Sequence, residues 1–299
     1  MEINKKNGNV GFEESSHTYF NIDDPSKKYI SVTTLIGKFE HPFDKDFWSQ
    51  YKVAEKLLDP DMWEIEKRKL LETKKFDKQY FLDTYKIDEV VFNTAQQDIL
   101  DEWHKKNIES CERGTRIHSE LEHSYTKQKT CELKKFGIGG KFNVKTGDVP
   151  LDEEKGVYPE YLIHVEDGNL RLAGQIDLLI KDGYNIYIFD YKSNAKLDSK
   201  SFFDKKTKKN QMMIYPLQNI MDCNKMHYTL QLSTYAWMLQ HNNPDLEIKK
   251  LMLIHYDHEG NVTEHEVDYL KSDVERMLNF WKKRSIIEAK RELRKPIEF

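Results

Sequence analysis

Two stretches of alternating apolar and polar residues lie on either side of Asp182-Gly183. The first, LRLAGQIDLLIK, and the second, YNIYIFDYK, are rich in the β-branched and aromatic residues that strands favour. An Asp-Gly pair between two such stretches is the strongest short-range signal of a two-residue hairpin turn. The pattern therefore predicts a β-hairpin over residues 170–192.

The predicted hairpin carries acidic residues on one face. A two-residue turn at Asp182-Gly183 would place Lys181 opposite Tyr184. Asp177 is then a diagonal neighbour of Asp190, about 7–8 Å away. Because side chains alternate between the faces of a strand, six of them share this face. They are Gln175, Asp177, Ile186, Ile188, Asp190 and Lys192.

Asp177 and Asp190 need a partner if that face is buried, as Ile186 and Ile188 indicate. Unpaired carboxylates are costly in an apolar environment, whereas Mg²⁺ binds carboxylate oxygens at about 2.0–2.1 Å. Lys192 lies one step further on the same face and adds a positive charge. The alternative for Asp190 and Lys192 is an ion pair in solvent. We predict that the two aspartates converge on one metal ion.

The first hundred residues divide into a β unit and a helical region. Residues 9–36 predict strands followed by a helix, whose start carries the hydroxyls of SVTT at residues 31–34. These hydroxyls suit N-capping; the alternative is an anion site at the helix N-terminus. Residues 44–100 spread aromatic and aliphatic residues through Lys- and Glu-rich sequence, and we interpret them as a helical insertion or lid.

A long helix is predicted over residues 97–125 from its apolar spacing. His118 and Glu122 fall on one stripe of this helix, and Gly114 precedes His118 by one turn. Glycine costs a helix about 1 kcal/mol relative to alanine, so Gly114 indicates a close approach of the backbone to another element. We predict His118 as a third metal ligand; the alternative is a structural or exposed histidine.

The remaining segments predict a loop, a strand, a second hairpin and two helices. Residues 126–156 contain turn signals and form a loop region. Residues 157–169 form the strand before the central hairpin, on which Glu160 is either an additional acid of the site or a surface residue. Residues 248–268 form the second hairpin, and residues 272–294 form a closing amphipathic helix.

The helix before the second hairpin is predicted over residues 226–240. Gln231 and Tyr235 share one stripe of it. A tyrosine with a glutamine beside it suits a nucleic-acid channel, where the ring stacks on a base. The alternative for Tyr235 is packing in the core.

The composition is that of a charged globular protein. Of the 299 residues, 38% are hydrophobic and 33% are charged. No apolar run approaches the roughly 20 residues that a membrane helix needs. The N-terminal sequence MEINKKNGNVGFEES lacks the apolar core of an export signal, so we expect a cytoplasmic protein. The three dispersed cysteines, Cys111, Cys131 and Cys223, argue against a disulfide framework and suit a reducing compartment.

The net charge of −4 gives little support to a nucleic-acid partner, but two segments are locally basic. Residues 193–210 contain the lysines at 196, 200, 205, 206, 208 and 209, and residues 281–295 have the sequence WKKRSIIEAKRELRK. A local basic footprint is typical of nucleic-acid binding. The alternative for both segments is a solvated surface.

Five short motifs occur in one order along the chain. They are GTRIH at residues 114–118, Glu160, GQID at 174–177, DYK at 190–192, and Gln231-x-x-x-Tyr235. In this order they resemble the RecB-like nucleases of the PD-(D/E)XK superfamily. SVTT followed by GT-x-x-H is similar to the branch that contains the mitochondrial genome-maintenance exonuclease and many bacteriophage-encoded exonucleases. The resemblance spans residues 31–239, although no proline precedes Asp177 and Ser193 replaces the frequent threonine.

The resemblance implies an α/β fold of the PD-(D/E)XK, restriction-endonuclease-like type. Its core is a mixed central sheet flanked by helices, and a helical N-terminal elaboration is added to it. We expect a single nuclease domain over residues 1–299, with the catalytic core at residues 101–299 and the helical insertion at residues 44–100.

The resemblance also implies roles for individual residues. The metal ligands are His118, Asp177, Asp190 and the carbonyl of Tyr191, and Lys192 is the catalytic lysine, with Glu160 as a further acid. The implied contacts to DNA are Ser31, Thr33, Thr115, Ser193, Gln231 and Tyr235. The implied cofactor is Mg²⁺ or Mn²⁺. An iron–sulfur cluster is not expected, because the chain has no four-cysteine set.

These features predict a metal-dependent DNA exonuclease that leaves 5′-phosphates. Its substrate would be single-stranded DNA or duplex ends, in phage or host DNA processing, recombination or repair. Recombination or replication proteins are the expected protein partners, and a phage-encoded protein would act in the host cytoplasm. The alternatives are a structure-specific endonuclease of the same fold and a non-catalytic DNA-binding protein on a nuclease scaffold.

Overall fold

The computed structural model describes residues 2–204 and 207–292. Within them the chain forms two compact units. The core unit contains residues 2–40, 114–203 and 209–292, and the helical unit contains residues 41–113 with 204, 207 and 208. The predicted catalytic residues all belong to the core unit.

The strands and helices follow one another in this order. The strands are β1 (Lys5–Asn7), β2 (Val10–Glu13), β3 (Thr18–Asn21), β4 (Lys28–Ser31), β5 (Thr130–Leu133), β6 (Ile138–Val144), β7 (Lys155–Asp167), β8 (Leu170–Asp182), β9 (Asn185–Lys192), β10 (Phe203–Asp204), β11 (Lys209–Asn210), β12 (Glu247–Tyr256) and β13 (Val262–Val267). The helices are α1 (Val32–Gly37), α2 (Lys45–Leu57), α3 (Pro60–Thr73), α4 (Lys78–Tyr85), α5 (Glu89–Thr126), α6 (Asn224–Asn242) and α7 (Lys271–Glu292), with a 3₁₀ turn at Lys134–Phe136.

Within the described residues, eleven strands of the core unit join one mixed sheet. Its order is β1-β2-β3-β4-β8-β7-β6-β5, with β9 between β8 and β12 and with β13 at the edge of β12. One edge of β8 pairs with two strands, because β4 lies parallel to its first half and β9 lies antiparallel to its second half. The predicted α/β class, with a mixed sheet and flanking helices, is confirmed.

Apolar side chains cover both faces of this sheet. The larger cluster contains α6, whose residues 229–236 are all buried, packed against β7, β9, β12 and the helices α1 and α7. The second cluster joins Tyr125 of α5 to Phe136, Phe142 and Phe189. Because burial on both faces removes the central strands from water, polar groups on them need partners within the protein.

The helical unit confirms the helices predicted within residues 44–100. Asp44, Asp59 and Asp77 each cap a helix, because their carboxylates accept hydrogen bonds from backbone N–H groups of the first turn. The unit has its own apolar core, which includes Phe47, Tyr51, Trp63, Leu70, Phe81 and Phe92.

The central hairpin is confirmed, but the predicted pairing was wrong by two residues. Asp182 pairs with Asn185 and Lys181 pairs with Ile186, so Gly183 and Tyr184 form the loop. Gly183 has a φ of +63°, which suits glycine at the first position of a type II′ turn. A shift of two residues in register does not by itself move a side chain to the other face.

The alternation of side chains slips at Glu160 and Asp177. The ladder between β7 and β8 is interrupted at this pair, where Glu160 has a φ of +50°. Ile176 and Leu179 both pack in the larger cluster, although strict alternation would place them on opposite faces. Such irregularities re-aim side chains in a sheet, and this one lies beside the predicted acidic residues.

Two further predictions of secondary structure needed correction. Residues 126–156 are not simply a loop, since they contain β5 and β6, and Phe142 of β6 is fully buried. The glycines of GIGG obscured this strand pattern. The long helix begins at Glu89 rather than residue 97, because the Asp88 carboxylate accepts hydrogen bonds from the first turn at the N–H groups of Val90 and Val91.

The remaining predictions concern the end of the chain and the basic segments. The second hairpin is present as β12 and β13. The closing helix is α7 as far as Glu292, while residues 293–295 lie outside the described residues, as do Lys205 and Lys206. No helix within residues 2–204 and 207–292 is both long and apolar enough to cross a membrane.

Candidate active site

Glu160, Asp177 and Asp190 lie on three neighbouring strands, β7, β8 and β9. Asp177 faces Glu160 across the interrupted ladder. On its other side the pair Leu178–Phe189 is the last of the β8–β9 register, and one further step brings Asp177 opposite Asp190. The backbone N–H of Tyr191 donates to Asp177 Oδ2 at 2.6 Å, which anchors the Asp177 carboxylate. This register differs from the predicted one, in which Asp177 lay opposite Ile188 and diagonal to Asp190.

His118 of α5 faces the same group of residues. Its Nδ1 lies 3.5 Å from Asp177 Oδ1 and 3.7 Å from Glu160 Oε1, and its Nε2 lies 3.1 Å from the carbonyl oxygen of Tyr191. One turn earlier, a Cβ added at Gly114 would lie 3.3 Å from Ser193 Oγ. The absence of a side chain at Gly114 therefore gives Ser193 room beside α5.

His118, Glu160 and Asp177 form a group that fits a divalent cation. Each contributes one ligand atom, and these atoms all lie within 4.8 Å of one another. One imidazole nitrogen and two carboxylate oxygens suit Mn²⁺, and the oxygens suit Mg²⁺. Asp190 is not in this group, and the Tyr191 carbonyl contacts His118. Of the four predicted ligands, the structure thus brings His118, Asp177 and the Tyr191 carbonyl close together, and Glu160 joins them.

The pKa values in this group reflect its excess of negative charge. Burial acts to lower the pKa of His118, but Asp177 and Glu160 outweigh it and raise that pKa to about 9. Burial, followed by the charge of Asp190, raises the pKa of Asp177 to about 7. Burial acts to raise the pKa of Glu160, but His118 and Lys5 bring it below its ordinary value. A bound cation would relieve the same repulsion.

Asp190 is held by two residues outside this group. Lys192 Nζ lies 2.7 Å from Asp190 Oδ2, and Gln231 Nε2 donates to Asp190 Oδ1 at 3.2 Å. The side chain of Asp190 is 1% exposed and that of Lys192 is 16% exposed, so the pair is not the solvated one of the alternative. Burial acts to lower the pKa of Lys192, but Asp190 and Asp177 outweigh it and raise that pKa. Lys192 is therefore an ammonium ion.

Tyr235 packs in the core below the site. It is 3% exposed, and its hydroxyl accepts a hydrogen bond from Gln231 at 3.3 Å. A Cβ added at Gly174 would lie 2.6 Å from Tyr235 Cε1, so only glycine permits this contact. The burial of Tyr235 favours packing over the stacking of a base on its ring.

The Gly174–Tyr235 contact predicts a loss of stability on substitution. Gly174→Ala should lower the free energy of unfolding by about 1–3 kcal/mol, because the added methyl group overpacks the ring of Tyr235. Urea denaturation followed by circular dichroism measures this change.

Gly139→Ala is the matched control, since Gly139 lies in a strand and a Cβ there meets nothing within 4 Å. This variant should unfold at or slightly above the wild-type urea concentration, because alanine restricts the unfolded chain. Equal free energies of unfolding for Gly174→Ala and Gly139→Ala would contradict the close contact between Gly174 and Tyr235.

A cavity of about 690 Å³ opens at the group of His118, Glu160 and Asp177. Its lining includes His118, Glu160 and Asp177, and the predicted DNA contacts Ser31, Thr33, Thr115, Gln231 and Tyr235. Ser31 also caps α1, because its hydroxyl accepts from the N–H of Thr34 at 3.0 Å. Ser193, Tyr191, Asp190 and Lys192 do not line the cavity. The last two lie on β9, the strand next to the one that carries Asp177.

Two residues of the site have roles that the sequence did not indicate. Gln175 donates a hydrogen bond to Glu160 Oε2, and Lys5 Nζ lies 3.5 Å from the same oxygen. Together they orient Glu160 so that its other oxygen faces His118. Because Gln175 lies in the GQID motif, that motif could have indicated its role. Lys5 lies in a three-residue strand, and nothing in the local sequence indicates its role.

Two solved structures that resemble this chain are distant from it in sequence. No curated protein matches the sequence. A protein named "Putative exonuclease" from Eubacterium rectale is 12% identical, with a TM-score of 0.27 over 41% of this chain and 40% of that chain. SSO0001 is 16% identical, with a TM-score of 0.23 over 42% of this chain and 50% of that chain. This chain thus spans half or less of each, and neither likeness carries an argument.

The family comparison is more extensive. The family described as the PD-(D/E)XK nuclease superfamily matches residues 84–297, which include every motif from Gly114 to Tyr235. The match covers more than half of the chain. It includes the strands that carry Glu160, Asp177 and Asp190, and it includes Lys192. The chain belongs to the PD-(D/E)XK nuclease superfamily.

Proposed function

We propose that this protein is a DNA exonuclease that requires Mg²⁺ or Mn²⁺ and leaves 5′-phosphates. The observation that carries the proposal is the group of His118, Glu160 and Asp177 in an open cavity, with the Lys192–Asp190 pair on the neighbouring strand β9. Membership of a nuclease superfamily supports hydrolysis of phosphodiester bonds. The order of the motifs supports the RecB-like branch and a role in phage or host DNA processing.

The residues divide the work of phosphodiester hydrolysis. A bound divalent ion supplies polarisation of the phosphoryl group and a water of lowered pKa. His118, Glu160 and Asp177 would hold the ion. Lys192, whose side chain is 16% exposed, would donate hydrogen bonds to the attacking water and offset the negative charge that develops on the phosphoryl oxygens. Asp190 contacts Lys192, and Gln231 contacts Asp190. These two residues therefore position Lys192 at the end of β9.

Cleavage of labelled linear and circular single-stranded DNA tests the proposal. The purified protein with Mn²⁺ should degrade linear DNA to products with 5′-phosphates and leave circular DNA intact. Cleavage of the circle would indicate an endonuclease of the same fold. Binding of DNA without cleavage in either metal would indicate a non-catalytic DNA-binding protein.

Metal binding by the site predicts stabilisation of the protein. A ligand at a hundredfold excess over its Kd stabilises the native state by about 2.7 kcal/mol. Saturating Mn²⁺ should therefore raise the melting temperature of the wild type, and His118→Ala should lose most of this rise. Differential scanning fluorimetry with and without Mn²⁺ measures it.

His123→Ala is the control, because His123 lies on the same helix but is exposed and bonds to the Ser119 carbonyl. It should keep the full response to Mn²⁺. An equal response from the two histidine variants would remove His118 from the proposed ligands.

A further inference from the structure

The cavity has a wall that the hydrolytic mechanism does not use. Strands β1, β2 and β3 and the residues next to them contribute to it through Asn4, Lys5, Phe12, Glu14, His17 and Tyr19. This wall is fixed to β7, because Asn7 Nδ2 donates to the Leu162 carbonyl at 2.7 Å and to the Tyr161 hydroxyl at 3.2 Å. Lys5 therefore has a defined position relative to Glu160.

Lys5 is the lysine of the cavity lining, and its ammonium lies on the far side of Glu160 from His118. Among the described residues that line it, no other is a lysine or arginine, whereas Glu14, Glu122, Glu160 and Asp177 carry carboxylates. A DNA strand that enters such a cavity meets repulsion from these acids. Lys5 is placed to offset it for a phosphate that is not bound at the metal-binding group.

The ammonium of Lys5 keeps donors for a further partner. It lies 3.5 Å from Glu160 Oε2 and 3.9 Å from Glu122 Oε1, and both distances exceed the usual range for N–H···O hydrogen bonds. Glu160 Oε2 already accepts from Gln175. An ammonium has three donors, and the Lys5 side chain is 34% exposed, so a phosphate oxygen can reach it.

The size of the cavity indicates one strand rather than two. About 690 Å³ is within the range of pockets that enclose a ligand of drug size, about 300–1,000 Å³, which corresponds to one or two nucleotides. A duplex is far larger, since its major groove alone is about 12 Å wide.

We propose that Lys5 binds a backbone phosphate of a single DNA strand, adjacent to the phosphate that is cleaved. The proposal rests on the proposed nuclease function and specifies its substrate. Lys5 thus belongs to a substrate subsite on β1, on the opposite side of Glu160 from His118.

The salt dependence of binding tests the proposal. For single strands, the slope of log K against log salt concentration changes by about 0.7 for each phosphate contact. Binding of a fluorescent single-stranded oligonucleotide is measured by anisotropy at several KCl concentrations, with Ca²⁺ replacing Mg²⁺. Lys5→Gln should make the slope shallower by about 0.7, whereas Lys5→Arg should keep it.

Lys6→Gln is the matched control. Lys6 neighbours Lys5 on β1, carries the same charge and pairs with Asp148 at 3.2 Å, but it does not line the cavity. This variant should keep the wild-type slope. Lys5→Ala serves as a second neutral variant, and melting temperatures show that each protein is folded.

The outcomes separate this proposal from the proposed function. If the wild type cleaves DNA but Lys5→Gln and Lys5→Ala keep its slope, Lys5 only orients Glu160 and the phosphate subsite is overturned. An equal change of slope in Lys6→Gln would overturn it as well, since the effect would then be one of net charge. A wild type that neither binds nor cleaves DNA would overturn the nuclease function itself.

Discussion

Replacing Lys192 by methionine should lower the rate of DNA cleavage about a thousandfold and leave metal binding intact. Groups that stabilise developing charge or position a proton in transfer contribute about 10²–10⁴ to the rate. Methionine keeps the length of the side chain and removes the ammonium that lies 2.7 Å from Asp190. The metal-binding group of His118, Glu160 and Asp177 does not include Lys192, so Mn²⁺ should still raise the melting temperature.

This prediction is checked by single-turnover cleavage together with thermal melting. Asp190 loses a partner in the variant, and breaking a buried ion pair is destabilising by about 3–5 kcal/mol, so the rate is compared at a temperature where the protein remains folded. Lys249→Met, at an exposed lysine of β12, is the control and should cleave like the wild type. A folded Lys192→Met protein with the wild-type rate would remove the lysine from the mechanism.

Asp177→Asn should abolish both cleavage and the stabilisation by Mn²⁺. Asp177 lies at the centre of the acidic row, and the neutral amide removes a charge that is needed to hold the ion. The transition-state stabilisation that a catalytic metal supplies is several kcal/mol, so we expect cleavage to fall by about 10³ or more. The amide oxygen of the variant can still accept the hydrogen bond that the Tyr191 N–H now donates to Asp177 at 2.6 Å.

The combination of two measurements distinguishes this variant from Lys192→Met. Asp177→Asn should lose the melting response to Mn²⁺, whereas Lys192→Met should keep it. Removing one carboxylate from a repelling group should also raise the melting temperature of the metal-free protein. Asp182→Asn, at the end of the same strand where Asp182 pairs with Lys155 at 2.8 Å, is the control. A full Mn²⁺ response in Asp177→Asn would show that the ion binds elsewhere.

The part of the site that could be predicted from sequence lies in regular local structure. The Asp-Gly turn and the alternating strands predicted the hairpin, and the helical stripe predicted that His118 faces inward. The pairing was wrong by two residues because the position of Gly183 in the loop depends on backbone torsion angles that the Asp-Gly pair does not specify. Since side chains alternate with period two, this error did not by itself move either aspartate to the other face.

The grouping of the ligands could not be predicted in the same way. The sequence indicated Asp190 as a ligand together with Asp177, and in the structure Asp190 lies outside the group of His118, Glu160 and Asp177, in contact with Lys192 and Gln231. Glu160 instead contacts His118. Because Glu160 has a left-handed backbone conformation, it interrupts the ladder between β7 and β8 and alters the alternation of side chains on both strands.

Short-range patterns in the sequence determined the α/β class, the helices of residues 44–100, the central hairpin and the faces of Asp177 and Asp190. These features depend on periodicity, caps and turns, which act over a few residues. Only the tertiary structure decided that Glu160 joins His118, that Lys192 holds Asp190, and that Lys5 enters the cavity. Lys5 contacts Glu160 in this cavity, and the two residues are 155 positions apart in the chain. No local pattern specifies a contact over such a separation.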